Sequence, residues 1–414
     1  MEMFFAIAFL CVVFLLSALI LLFFGVLYSE MTNSEIPPGV SHANKLHFIH
    51  GANIGIAILG KILENISLCQ QVNFTRYCRE RLLVQKKPVP PELHIKDLLF
   101  SDVPVRVYLP TAPNAAKRRG LVFFHGGGWM FGSLDSYDHI CRYIAIHSET
   151  VVVSVAYRLS PEHRYPVQLD DCQAATLHFL KVAEADYGVD PIKVALGGDS
   201  AGGNLAAALC YRAAKEGARP QPCAQILIYP LLQMADFHLP SYQQNKMVPM
   251  LFRGRTIFYC LQYLNGDMTL NEEMLNSDHV PVEHKLRYRK WLGHENLPSE
   301  CKARGFSLRV ASSHDEEVYD LLKQALEPEL SPLLAPDDVV RKLPPAFILT
   351  CEYDVLRDDG ILFKKRLEDL GVPVTWHHIN DGFHGILNFF DGGRLNFPSG
   401  KRAIDHVVEF LRTL

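Results

Sequence analysis

The sequence has no metal-binding spacing of the Cys-x-x-Cys or His-Glu-x-x-His kind, so neither structural zinc nor a zinc protease is predicted. It also has no excess of basic charge. Its 41 Lys and Arg residues stand against 45 Asp and Glu, for a formal net charge of −4. Nucleic-acid binding is therefore not expected. A chain of 414 residues with 49% hydrophobic content can bury one large core.

Charge is missing altogether from residues 3–28, and Ser17 is almost the only polar interruption. As a helix this stretch would be about 38 Å long, against a hydrocarbon core of about 30 Å. A cleaved signal peptide is the alternative, but its apolar region is usually about 7 to 15 residues and follows basic residues, whereas this segment follows Glu2. We therefore expect residues 3–28 to be a transmembrane signal anchor. No Lys or Arg precedes Lys45, so flanking charge does not predict its orientation.

A serine between glycines is the strongest chemical signal in the chain. The run 198–203, Gly-Asp-Ser-Ala-Gly-Gly, directly follows a short apolar stretch. A sharp strand-to-helix turn tolerates no side chain two residues before or after a nucleophile, which explains Gly198 and Gly202. Ser200 is therefore the candidate nucleophile of a serine hydrolase. An ordinary glycine-rich turn is the alternative interpretation of this pattern.

A second glycine cluster, His-Gly-Gly-Gly-Trp at 125–129, follows the apolar strand predicted at 121–124. Successive glycines let backbone N–H groups approach a developing oxyanion without obstruction by a β-carbon. We predict an oxyanion hole formed by His125, Gly126, Gly127 and Ala201. A dinucleotide-binding loop is the alternative, but the next glycine is Gly132, which does not fit that spacing.

Serine chemistry needs a base and an acid that orients the base. Asp354 lies just beyond a predicted buried strand at 346–351, and the carboxyl end of a strand is where α/β folds place chemistry. We predict that Asp354 is the orienting acid. Glu352, Asp358 and Asp359 are rivals, although Asp358 and Asp359 are better suited to capping the following helix.

His384 is the predicted general base. It lies between glycines in a loop after the last predicted strand, about thirty residues beyond Asp354. This position gives the chain order Ser, Asp, His that is typical of an α/β-hydrolase. His377 and His378 lie within the strand, and we interpret both as structural. The predicted catalytic residues are therefore Ser200, Asp354 and His384.

The motifs together resemble the hormone-sensitive-lipase-like branch of the α/β-hydrolases, and most closely its arylacetamide deacetylase group of membrane-bound carboxylesterases. The resemblance covers nearly the whole chain and includes the segments 157–162, 354–359 and 381–385. It implies an amino-terminal membrane anchor, a catalytic domain in the lumen of the endoplasmic reticulum, and hydrolysis of carboxylic esters or small amides. Relatives often carry a cysteine where this chain has Met130, so a disulfide from there to Cys351 is not possible.

Strand-like and helical segments alternate from about residue 93, break down between about 234 and 330, and then resume. We predict an α/β-hydrolase fold with a doubly wound, mostly parallel sheet, a helical cap and one amino-terminal transmembrane helix. The predicted regions are the anchor at 3–28, cap or stalk helices at 29–92, the first part of the core at 93–233, a lid insertion at 234–330 and the second part of the core at 331–414.

The sequence thus predicts a membrane-anchored esterase for neutral, hydrophobic substrates. Arylamide deacetylation and a non-catalytic binding module on the same fold are the alternatives. The expected partners are a small-molecule or lipid ester and the lipid bilayer, with no cofactor, no metal and no obligate protein partner. Two sequons, at Asn65 and Asn73, would place the body in the lumen if glycosylated. Cys69 and Cys78 either pair in an oxidising lumen or remain free thiols.

Overall fold

The computed structural model describes residues 1–84, 87–112, 117–217, 219–308, 314–391 and 393–414, with backbone alone at residues 2–4, 6–8, 11–12, 15–16, 18–19 and 82–83. The α-helices in these ranges are α1 (Glu2–Asn33), α2 (Ala43–Asn65), α3 (Gln71–Cys78), α4 (Asp138–Ser148), α5 (Val167–Tyr187), α6 (Ala201–Glu216), α7 (Pro240–Gln244), α8 (Arg253–Leu264), α9 (Asn271–Asn276), α10 (Val282–Leu292), α11 (Glu316–Leu322), α12 (Asp337–Val340), α13 (Arg357–Asp369) and α14 (Pro398–Thr413).

The described strands form one sheet in the order β1-β2-β4-β3-β5-β6-β7-β8. The pairs β1–β2 and β2–β4 are antiparallel, and every other neighbouring pair is parallel. This arrangement confirms the predicted fold class. The strands are β1 (Leu93–Phe100), β2 (Val103–Pro110), β3 (Arg118–Phe124), β4 (Val151–Val155), β5 (Val189–Asp199), β6 (Gln225–Ile228), β7 (Ala346–Tyr353) and β8 (Val374–Phe383).

Helices cover both faces of the sheet. The side chains of α5, α6 and α13 pack on one face, and those of α4 and α14 pack on the other. The central strands β4 and β6 are buried at every position. Strands with two covered faces favour apolar residues, and in these two strands Ser154 and Gln225 are the only polar positions. The carboxyl ends of the parallel strands are left as the edge at which loops can build a site.

The predicted anchor 3–28 lies inside one helix, α1, although several of its side chains fall outside the described residues. Among the described residues, α2 is also long and apolar enough to cross a membrane by length and composition. However, Leu46, Ile49 and Ile54 of α2 are buried against the rest of the molecule. Length and apolarity therefore do not separate a spanning helix from one that packs on the body.

The break in alternation corresponds to a helical insertion between β6 and β7. In the described part of residues 229–345 the structure has helices and turns but no strand. Near the end of this insertion, α11 is followed directly by a 3₁₀ turn at Lys323–Leu326. The predicted domain boundaries stay predictions.

The nine cysteines whose side chains the structure describes are all free thiols. Cys78 is buried and Cys69 is half-buried, and the two are not bonded to each other. Of the two states expected for Cys69 and Cys78, the structure therefore shows the free thiols.

Candidate active site

Ser200 occupies a strained turn between β5 and α6. Its backbone has φ 55° and ψ −119°, a conformation that residues other than glycine rarely adopt. A β-carbon at Gly198 or at Gly202 would overlap the carbonyl oxygen of Phe124 on β3. The neighbouring strand thus explains both glycines, and the turn lifts the serine hydroxyl beyond the end of the sheet.

The three side chains predicted for catalysis form one hydrogen-bonded chain. The Oγ of Ser200 lies 2.8 Å from Nε2 of His384, and Nδ1 of His384 lies 2.8 Å from Oδ2 of Asp354. His384 is 9% exposed and Asp354 is 1% exposed. Since both contacts have hydrogen-bond length, the imidazole can take a proton from the hydroxyl while the carboxylate holds its other nitrogen.

Asp354 is itself held from two sides. Its Oδ1 accepts the N–H of Leu356 at 2.9 Å, which fixes the plane of the carboxylate. Its backbone carbonyl accepts the side-chain amide of Asn245 at 2.8 Å. Because Asn245 belongs to the insertion, the insertion as well as the sheet orients the acid.

The rival carboxylates have other partners. Asp358 accepts the backbone N–H of Ser241 at 2.7 Å, and Asp359 accepts that of Leu232 at 2.9 Å. Both carboxylates are fully buried, and neither caps α13 through its side chain. The structure therefore differs from the predicted capping role, because these groups tie α13 to the chain that follows β6.

Glu352, the third rival, faces cations. It accepts hydrogen bonds from Arg357 at 2.9 Å and from Arg304 at 3.0 Å, and it lies 3.2 Å from His378. Burial opposes ionisation, but the His378 hydrogen bond and the charges of Arg357 and Arg304 outweigh it and lower the pKa of Glu352 to about 2. Glu352 thus joins the insertion to the sheet and does not touch His384.

The glycine loop differs from the predicted oxyanion hole at its first donor. The N–H of Gly126 points at Asp199 Oδ1, 2.7 Å away, and also at the hydroxyl oxygen of Tyr137, 3.0 Å away. Within the described residues, the N–H groups of Gly127, Gly128 and Ala201 have no hydrogen-bond partner. These three residues line the same cavity as Ser200, so they are the available donors.

His125 lies behind the loop. Its ring stacks on Tyr157 with 4.3 Å between centroids, and its Nδ1 lies 2.9 Å from the carbonyl oxygen of Gly126. The Tyr157 hydroxyl donates to the carbonyl of His125 at 2.6 Å. Burial lowers the pKa of His125 to about 4, so the ring is neutral at pH 7. The side chain supports the loop and offers no charge to the cavity.

Asp199 is the residue that sequence reasoning missed. Besides the Gly126 N–H, it accepts the hydroxyls of Tyr137 at 3.1 Å and of Tyr229 at 3.3 Å. It is 2% exposed, and burial raises its pKa to about 6. The available signal was an acidic residue beside the nucleophile in an otherwise small-residue run. Asp199 thus connects the elbow to the glycine loop.

Removal of Asp199 as an acceptor should loosen the glycine loop. We expect Asp199→Ala to lower kcat by about tenfold to a hundredfold, less than the loss of an oxyanion donor itself. Asp199→Asn keeps an oxygen for the Gly126 N–H and should retain most of the activity. Steady-state kinetics on one ester checks both variants, and equal activity of the alanine variant would contradict a positioning role.

The same asparagine variant tests how the ionisation of Asp199 affects stability. Because the pKa of Asp199 rises from its usual value of about 4 to about 6 in the folded protein, the folded state binds the proton more tightly. The wild type should therefore lose stability relative to Asp199→Asn as the pH rises from about 4 to about 6. Urea unfolding of the two proteins at pH 4, 5, 6 and 7 measures this difference, which should not vary with pH if Asp199 ionises normally.

A cavity of about 420 Å³ opens over Ser200 and His384. Most of its inner wall is apolar, and charged side chains lie among its lining residues. Its apolar lining residues include Val84, Trp129, Phe131, Tyr137, Leu159, Leu231, Met250, Leu251, Tyr259, Leu356, Phe389 and Leu395. A volume of this size suits a small, neutral organic molecule. Within the described ranges, no group of three or more His, Cys, Asp or Glu side chains is arranged to hold a metal ion.

Comparison with known proteins agrees with this geometry. A family model described as alpha/beta hydrolase fold matches residues 121–284 and 308–388. Arylacetamide deacetylase-like 4 from Homo sapiens is 39% identical over 402 residues, which are 96% of this chain and 98% of that protein. Arylacetamide deacetylase from Oryctolagus cuniculus is 35% identical over 403 residues, which are 95% of this chain and 98% of that protein.

Solved structures show the same architecture. The hyperthermophilic esterase from the archaeon Pyrobaculum calidifontis matches with a TM-score of 0.62 and 27% identity, over 86% of this chain and 97% of the esterase. A metagenomic thermostable carboxylesterase, EstE1, matches with a TM-score of 0.61 and 28% identity, over 83% of this chain and 97% of its own.

Proposed function

Because this chain belongs to the arylacetamide deacetylase group of α/β-hydrolases and is a carboxylic ester hydrolase, we propose that it is a membrane-anchored serine esterase for neutral, hydrophobic substrates. The observation that supports this most is the hydrogen-bonded chain from Ser200 through His384 to Asp354 at the floor of an apolar cavity. We assign the catalytic roles to these three side chains.

In the first half of the reaction, His384 takes the proton of Ser200 as the serine oxygen attacks the ester carbonyl. Negative charge develops on the carbonyl oxygen, and the free N–H groups of Gly127, Gly128 and Ala201 are the donors that stabilise it. Asp354 stabilises the imidazolium that forms. His384 then gives its proton to the departing alcohol, which leaves an acyl-enzyme on Ser200.

In the second half, His384 deprotonates a water molecule, which attacks the acyl carbonyl. The same donors hold the second oxyanion, and proton return to Ser200 releases the acid. An arylamide would pass through the same tetrahedral intermediate, with an amine in place of the alcohol. The names of the relatives make arylamide deacetylation the second candidate activity.

A panel of substrates tests this proposal. The purified full chain in detergent is assayed with p-nitrophenyl esters of short and long acids and with an aryl acetamide, and it is labelled with a fluorophosphonate probe. Ester turnover together with labelling is the expected result. A protein that is not labelled but binds a lipid stoichiometrically would contradict the proposal and favour a non-catalytic binding module.

We further propose that α1 anchors the protein with its body in the lumen of the endoplasmic reticulum. Both sequon residues are exposed, Asn65 at the end of α2 and Asn73 on α3, so at least one can accept a glycan. Resistance to carbonate extraction and a mobility shift with endoglycosidase are the expected results. A carbonate-soluble protein would contradict the anchor, and an unglycosylated one with both sequons intact would argue against the lumen.

Tyr259 of α8 should limit the size of the acyl group. A β-carbon at Gly128 would contact its ring, which therefore lies directly against the oxyanion loop. We expect Tyr259→Ala to raise the ratio of kcat/KM for a hexanoate over an acetate ester by about tenfold, since each added methylene gains apolar contact. Phe258→Ala is the matched control, because Phe258 does not line the cavity, and it should leave that ratio unchanged.

A further inference from the structure

The outward face of α2 carries an apolar stripe. Its members recur at the spacing of one helix face and are Phe48, Ala52, Gly55, Leu59, Ile62 and Ile66, the last of which directly follows the helix. Phe48 is 65% exposed, Leu59 is 45% exposed and Ile66 is 58% exposed. A helix on a water-facing surface carries polar residues on this side, whereas the outer face of α2 is apolar.

The last turns of α1 cover only part of this stripe. A β-carbon at Gly51 would lie 3.2 Å from Sδ of Met31, and one at Gly55 would lie 3.5 Å from Cζ of Phe23. A later residue of α2 therefore contacts an earlier residue of α1. The two helices run in opposite senses, so α2 advances toward the membrane-inserted part of α1.

The depth of α2 follows from this contact. Phe23 lies inside the predicted span 3–28, so the proposed anchoring places Gly55 beside the membrane-inserted part of α1, below the membrane surface. Ile66 is a further eleven residues along, a rise of about 16 Å for a helix. Leu68, in the turn after α2, is 71% exposed. The uncovered apolar residues are therefore those that the anchor brings nearest to lipid.

The next helix, α3, contributes to the wall of the cavity. Gln71 and Phe74 of α3 pack against Gly60 of α2. Arg76, also on α3, and Arg79, just after it, line the cavity that contains Ser200. The apolar turn and this part of the cavity wall are therefore formed by consecutive segments of the chain.

We propose that the outward stripe of α2 and the turn at 66–69 contact the bilayer beside α1, so that hydrophobic esters enter the cavity from lipid. This placement depends on the proposed anchoring by α1 and extends that anchor to a second contact. An apolar helix face gains free energy in proportion to the area that it buries in lipid. The binding partner is the lipid surface itself.

Crosslinking to lipid tests the placement. The full chain is reconstituted in phosphatidylcholine vesicles that contain a fluorescent phosphatidylcholine, with p-benzoylphenylalanine at position 59, 22 or 286. Leu22 on α1 is the positive control, and Leu286 in the insertion is the negative control, a leucine that is 68% exposed and so more accessible than Leu59 at 45%. We expect lipid adducts at positions 59 and 22 and none at 286.

The other outcomes separate the two proposals. Adducts at position 22 without any at 59 would overturn the α2 contact and leave the anchor intact. Absence of adducts at position 22 would remove the anchor, and with it the reason for placing α2 at lipid. A product of twice the chain mass from position 59 would assign the stripe to a second copy of the chain and overturn the proposal. A glycan on Asn65 would also overturn it, since the end of α2 would then lie away from the headgroups.

Kinetics gives an independent measurement. Leu59→Asn should raise KM about tenfold for a long-chain ester dissolved in the vesicles and leave the constants for water-soluble p-nitrophenyl acetate unchanged. Leu286→Asn should change neither substrate. An unchanged KM for the vesicle-borne ester in Leu59→Asn would overturn the role of α2 in substrate entry.

Discussion

Ser200→Ala should abolish ester hydrolysis, lowering kcat by about a millionfold while the protein stays folded. The substitution removes only the hydroxyl group, whose Oγ lies 2.8 Å from Nε2 of His384. Ser200 has a strained backbone at φ 55°, which alanine tolerates no better and no worse, so thermal unfolding should change little. Turnover of a p-nitrophenyl ester, covalent labelling by a fluorophosphonate and near-UV circular dichroism are the measurements.

The base provides the matched test for this prediction. Because Ser200 and His384 act as one unit, His384→Ala should cost about as much as Ser200→Ala, and the double variant should cost little more. Multiplicative losses in the double variant would contradict a shared proton transfer. Residual labelling of Ser200→Ala by the fluorophosphonate would show that another residue is the nucleophile.

Asp354→Asn should lower kcat by about ten-thousandfold, with little change in KM. With its one oxygen bound to the Leu356 N–H, the amide presents its NH2 group to Nδ1 of His384, which favours the wrong tautomer of the imidazole, and it does not stabilise the imidazolium. The Leu356 N–H still finds an oxygen at 2.9 Å, so the loop after β7 should hold its position. Kinetics and thermal unfolding of the purified variant measure the two effects separately.

Glu352→Gln is the control that separates chemistry from stability, because Glu352 lies two residues earlier and binds Arg304 and Arg357. We expect kcat near the wild-type value and a loss of about 1–3 kcal/mol in the free energy of unfolding at pH 7. Since the pKa of Glu352 is lowered to about 2, its stabilisation is present above pH 4.5 and fades as the pH falls toward 2. The stability difference should therefore shrink at low pH, and a loss of activity comparable to that of Asp354→Asn would make Glu352 the orienting acid.

Local sequence patterns were sufficient to predict most residues of the site. The elbow needs glycines because a neighbouring carbonyl leaves no room for a β-carbon, and such a requirement is readable from a few consecutive residues. The same holds for the placement of Asp354 and His384 after apolar strands, since strand ends gather at one edge of a parallel sheet. The structure places Ser200, His384 and Asp354 in hydrogen-bonding sequence, and their catalytic roles await the variants above.

Hydrogen bonds between residues far apart in the chain could not be predicted from the sequence. Which glycine N–H remains free depends on where Asp199 and Tyr137 lie, and these residues are far from Gly126 or separated from it by a turn. From their spacing alone, Asp358 and Asp359 are predicted to cap a helix. In the structure their carboxylates instead accept hydrogen bonds from backbone N–H groups more than a hundred residues away. Hydrogen-bond partners at that distance leave no periodic trace in the chain.

The sequence by itself determined the fold class, the family and the apolar segment 3–28, because hydrophobic periodicity, glycine spacing and uninterrupted apolar length are local physical requirements. Only the tertiary structure decided which donors face the cavity, which carboxylates serve stability and which face of α2 is left uncovered. Those properties depend on what packs against each group, since burial and hydrogen bonding are set by neighbours in space.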